Sequence, residues 1–95
     1  MITINEVQQV VTPILKKHKI TKASLFGSIV SGKLHKKSDI DILVEAPKNY
    51  SIYDMLGLRY EIENKLNKKV DLVEFSSIKP RLKDSIISSQ IKIIS

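Results

Sequence analysis

The chain has 95 residues, 42% of them hydrophobic, with no cysteine and a net charge of +6. That length suits one domain over 1–95, the missing cysteine excludes a disulfide framework and a thiolate metal site, and no apolar run approaches the roughly 18 residues of a membrane span. Only two of the sixteen basic residues are Arg, Arg59 and Arg81, and the aromatics do not interleave with the charge. The balance therefore reads as a lysine-rich solvated surface, not a nucleic-acid surface, with some attraction left for an anionic small molecule such as a triphosphate. The N-terminus lacks the apolar core of a signal peptide, so the expected setting is the cytoplasm.

Thr3 and Glu6 stand at capping-box spacing before Val7, Val10, Val11, Ile14 and Leu15, so the first element is a helix that Pro13 is expected to kink or end early. "KASLFG" (22–27) reads as a short strand stopped by Gly27, and 28–35 as a turn with a short helix. "DIDILVE" (39–45) reads as a second strand, closed by Pro47. Ser51 and Asp54 cap a helix with Met55, Leu58, Ile62 and Leu66 on one stripe. "KVDLVEF" (69–75) is a third strand, Pro80 suits the first turn of a helix over about 79–88, and "IKII" forms an edge strand or packs down. The alternation implies a small layered α+β domain, a mixed sheet flanked by helices. The short link between the first two strands leaves antiparallel pairing and a tight crossover both open.

The second strand carries the chemistry. Side chains alternate along a strand, so Asp39, Asp41, Leu43 and Glu45 share one face while Ile40, Ile42 and Val44 point into the core. Asp71 and Val73 repeat the pattern in the third strand, and if the two strands are neighbours Asp71 joins a three-carboxylate cluster. Such a cluster repels itself unless cations compensate it, and hard oxygen donors suit two Mg²⁺ or Mn²⁺ ions. A lone Asp-x-Asp is as well explained by edge-strand charges that discourage aggregation. The Gly27-Ser28 turn upstream tips the balance: its backbone admits a phosphate, and the pair of features together suits two-metal nucleotidyl transfer.

"GS", ten intervening residues and "DID" (Gly27, Ser28, Asp39, Ile40, Asp41), with a later strand aspartate in "VDLVEF", resemble the minimal nucleotidyltransferases of the DNA polymerase beta superfamily. The resemblance implies Asp39, Asp41 and Asp71 as metal ligands, Asp71 also as base, and Gly27 and Ser28 on the triphosphate, with Lys37 and Ser38 as further nucleotide contacts. It implies Mg²⁺-dependent transfer of AMP from ATP to a hydroxyl, in the antitoxin type to a tyrosine of a HEPN-domain toxin partner. The family commonly places Arg or another large polar residue directly after Gly-Ser, where this chain has Ile29, Val30, Ser31 and Gly32. Ile29 and Ser31 are thus expected to leave two phosphate or partner contacts missing. Lys33, Lys36 and Lys37 either replace that charge or form a solvated loop. The rival is an antitoxin that neutralises its partner by contact alone. His18 reads as a solvated helix-end residue, His35 has no assigned role, and Tyr50, Tyr53 and Tyr60 read as surface packing, with self-modification or partner contact as the alternative.

Overall fold

The computed structural model describes residues 3–32 and 39–94. The Thr3 hydroxyl accepts the Glu6 amide at 3.1 Å and caps helix α1 (Ile4–Lys17), which buries Val7, Val11, Ile14 and Leu15. Of the two outcomes expected at Pro13, a kink or an early end, the early end does not occur: the helix runs on to Lys17. The proline ring costs roughly 3 kcal/mol in a helix interior, but Ile14 and Leu15 directly follow it into the core, and each such side chain contributes about 1.5–3 kcal/mol. Strand β1 (Ala23–Phe26) then leads through Gly27 into the one-turn helix α2 (Ser28–Ser31).

Strand β2 (Ile40–Val44) is followed by helix α3 (Ile52–Leu66). A reciprocal capping box opens α3: Ser51 Oγ accepts the Asp54 amide at 3.1 Å and Asp54 Oδ2 accepts the Ser51 amide at 2.8 Å. Asn67 closes it in the left-handed conformation, φ 54°. Strand β3 (Val70–Glu74), a 3₁₀ turn (Phe75–Ser77), helix α4 (Pro80–Ser89) and strand β4 (Ile91–Ile94) complete the described chain. Pro80 occupies the first turn of α4, where its missing amide costs nothing.

The sheet order is β3-β2-β1-β4. β1 pairs antiparallel with both β2 and β4, which settles the open question about the first two strands, and β2 pairs parallel with β3 through the α3 crossover. The architecture is therefore α+β with a mixed sheet, as expected. Helices α1 and α3 cover one face, where Val7, Val11, Ile14, Leu15, Leu58 and Ile62 meet Leu25, Ile40, Ile42, Val44 and Val70. The opposite face carries the register partners Ser24 and Leu43, both buried, and then, towards the N-terminal end of β2, Asp41. Leu43 thus shares the aspartate face, as alternation placed it, and is buried there beside Ser24.

His18 is more than a solvated helix end. Its Nδ1 lies 3.1 Å from the Tyr50 hydroxyl and its Nε2 3.0 Å from Glu61 Oε1, while Lys17 pairs with Glu61 Oε2. The cluster ties the end of α1 to α3. Lys17 and His18 hold the Glu61 carboxyl below its usual range, and burial, with Asp54 and Glu61 nearby, raises the Tyr50 phenol. No described helix is long and apolar enough to cross a membrane.

Candidate active site

Gly27 ends β1 with φ 77°, a conformation glycine adopts freely, and its carbonyl accepts the Val30 amide at 3.1 Å to start α2. A Cβ at this position would collide with the Asp41 carboxylate. Glycine is required twice over, by the backbone turn and by the aspartate lying against it. The turn and the first carboxylate therefore form one contact surface.

Asp41 sits in the middle of a row that crosses the sheet. On one side its register partner is Phe26, the residue before Gly27; on the other it is Asp71 of β3. Neighbouring residues in register project from the same face, so Asp41 and Asp71 lie side by side. Asp39 is exposed just before β2. Burial, with the charges of Asp71 and then Asp39 adding to it, pushes the Asp41 carboxyl from 3.8 up to about 6. The three predicted carboxylates are thus close enough to sense one another. No group of three acidic or His side chains among the described residues stands ready to hold a metal ion.

Of the remaining candidate residues, Gly27 lies at the turn after β1, and the side chains of Ser28 and Ser31, with Lys33, His35, Lys36, Lys37 and Ser38, lie outside the described residues. Ile29 requires a correction. It does not stand where a phosphate contact would be missing: it is 6% exposed and belongs to the hydrophobic core. The apolar residue after Gly-Ser anchors α2 beneath the turn.

A cleft of about 510 Å³ lies beside Asp39 and Asp71, lined also by Arg59, Glu63, Asn67 and Lys69, and was not legible from the residues alone. Glu63 Oε2 accepts the Val70 amide at 2.9 Å, and Glu63 Oε1 lies 3.7 Å from Arg59 Nε. The i, i+4 spacing of Arg59 and Glu63 was visible, but it marks any exposed helix; only the packing of α3 against β3 turns the pair towards the carboxylates.

Residues 9–95 match the family described as polymerase beta, nucleotidyltransferase. The chain belongs to this family. Two of its curated relatives are archaeal. One, from Methanocaldococcus jannaschii and provisionally named protein adenylyltransferase MJ0435, is 42% identical over 91 residues, covering 96% of this chain and 98% of the relative. The other, protein adenylyltransferase MntA of Thermococcus cleftensis, is 30% identical over 91 residues, covering 92% of each chain. Among solved structures, a crystal structure of a toxin–antitoxin with AMP-PNP superposes with a TM-score of 0.78 at 26% identity, over 90% of this chain and 71% of that one. As a family member this chain is a nucleotidyltransferase, and its α+β fold is that of the minimal nucleotidyltransferases.

Proposed function

We propose that residues 1–95 act as one protein adenylyltransferase domain, in the cytoplasm, transferring AMP from ATP to a tyrosine hydroxyl of a HEPN-domain toxin and so serving as its antitoxin. The observation that carries this reading is the contact between Gly27 and Asp41 beside Asp71, which sets the Gly-Ser turn against a row of carboxylates. The choice of ATP and of a protein acceptor is supported by the names of the relatives and by the AMP-PNP complex.

The donor set fits a hard divalent cation. Asp41 is raised by burial and by two like charges, a situation a cation relieves, and oxygen donors suit Mg²⁺ or Mn²⁺. Asp39, Asp41 and Asp71 would hold it, with phosphate oxygens completing the ligand set. When bound, such ions neutralise charge on the triphosphate and make the acceptor hydroxyl easier to deprotonate. The protein's own residues do the rest. Gly27, lacking a side chain, leaves room for the Asp41 carboxylate against the turn that would take the triphosphate. Asp71, exposed on β3, takes the proton as the tyrosine oxygen bonds to the α-phosphorus and the bond from that phosphorus to pyrophosphate breaks. The products are the tyrosine–AMP ester and pyrophosphate.

The test is incubation with Mg²⁺, ATP labelled at the α-phosphate and the HEPN-domain protein encoded by the neighbouring reading frame. Label is expected on a tyrosine of that protein, and chelation of the metal is expected to abolish it. Metal-independent label, or none, would overturn the reading.

A further inference from the structure

Resting on that reading, we infer that the cleft between α3 and the start of β3 receives the polypeptide segment that carries the acceptor hydroxyl, and that Arg59 holds this segment and not the nucleotide. The inference starts from the order of groups across the sheet. Gly27 follows β1, Asp41 lies on β2 and Asp71 on β3, so the phosphate-side turn and β3 flank Asp41 from opposite sides. β3 is the edge of the sheet, and the cleft opens beyond it; Asp39 and Asp71 line the cleft, whereas Gly27 and Asp41 do not.

Displacement at phosphorus is in line: the attacking oxygen and the departing pyrophosphate stand on opposite sides of the phosphorus. A triphosphate seated at Gly27 sends its pyrophosphate off on the β1 side. The hydroxyl must then arrive from the β3 side, where the cleft of about 510 Å³ is large enough for an aromatic side chain and its neighbours.

The walls of the cleft suit a polypeptide. The Ile40 amide donates to the Lys69 carbonyl at 2.9 Å, which fixes the phase of the parallel ladder. With that phase Lys69, Asp71 and Val73 turn their backbone groups towards β2, while those of Val70 and Leu72 face outwards. Glu63 already takes the Val70 amide at the cleft; the outward groups of Leu72 lie beyond the cleft's own lining and continue the same edge, along which an extended segment leaving the cleft can run. Arg59 stands above this edge about half exposed, its one ion-pair contact among the described residues the 3.7 Å approach to Glu63. A guanidinium so placed offers its fork of N–H donors to carbonyl or carboxylate oxygens of the incoming chain.

The experiment compares Arg59→Ala and Arg59→Lys with the parent, using ATP, Mg²⁺ and the same HEPN-domain protein as acceptor. Arg59→Ala is expected to raise the KM for the acceptor protein about tenfold, the size of one charged hydrogen bond, while the ATP affinity measured by calorimetry stays within about twofold. Arg59→Lys, which keeps the charge without the fork, is expected to recover part of the loss. An ATP affinity about tenfold weaker in Arg59→Ala would put this residue on the nucleotide and overturn the inference, as would an unchanged KM for the acceptor. Either of those results leaves the proposed function standing if the parent transfers AMP; a parent chain that binds ATP but transfers nothing removes both.

Discussion

Replacing Asp41 by Asn is expected to stabilise the metal-free protein at neutral pH while ending nucleotidyl transfer. The carboxyl is raised in the folded state from 3.8 to about 6, so the folded protein binds a proton more tightly than the unfolded chain does. The sign follows: the contribution of Asp41 is fully present below about pH 4 and is lost as pH rises through about 6. A gap of about two pH units corresponds to roughly 3 kcal/mol, and because Asp41 is only partly buried, about 1–2 kcal/mol is a fair discounted figure. For a domain of this size that amounts to a rise of about 5–12 °C in melting temperature. The assay is a set of thermal melts in chelator from pH 3.5 to 8, parent against Asp41→Asn. The two curves should converge at acid pH and separate as pH rises. An Asn variant that melts below the parent at pH 7, or by a difference that does not change with pH, would refute the reasoning and make Asp41 a structural residue.

Gly27→Ala is expected to cost at least about 1 kcal/mol, since it strains the left-handed turn and pushes into Asp41, and to abolish transfer; denaturant melts and the label assay check both. Ile29→Arg, which the family pattern suggests as a route to tighter ATP binding, is expected instead to lower stability by several kcal/mol by burying a charge, whereas Ile29→Val should cost only about 0.5–1.5 kcal/mol in the same melts. Tyr50→Phe removes the hydrogen bond with His18 and should cost about 0.5–1.5 kcal/mol without changing transfer, read from the melt and from kcat.

Local features were legible because their causes are local. The Ser51–Asp54 cap, the Leu58 and Ile62 stripe and the strand alternation of Ile40, Asp41 and Ile42 follow from spacing alone, and each appears where the spacing put it. The pairing of Asp41 with Asp71 was legible only as a condition, because strand order depends on contacts far apart in sequence. Ile29 misled because a resemblance in a loop says which residue follows Gly-Ser, not which way it points; the tight turn at Gly27 rolls α2 so that this side chain meets the core. Leu43 stands on the aspartate face, where alternation put it, but its burial there depends on what covers that face, which spacing does not tell. Arg59 and Glu63 were invisible because their role arises from where α3 lies beside the open edge of β3.

The most direct measurement is toxin neutralisation by the Asp41→Asn protein, with the intact mass of the HEPN-domain partner recorded in the same samples. The parent chain should neutralise the partner and raise its mass by one or more adenylate groups, and Asp41→Asn should do neither while still folding. Equal neutralisation by Asp41→Asn with no gain in mass would contradict an enzymatic antitoxin and leave one that acts by contact alone.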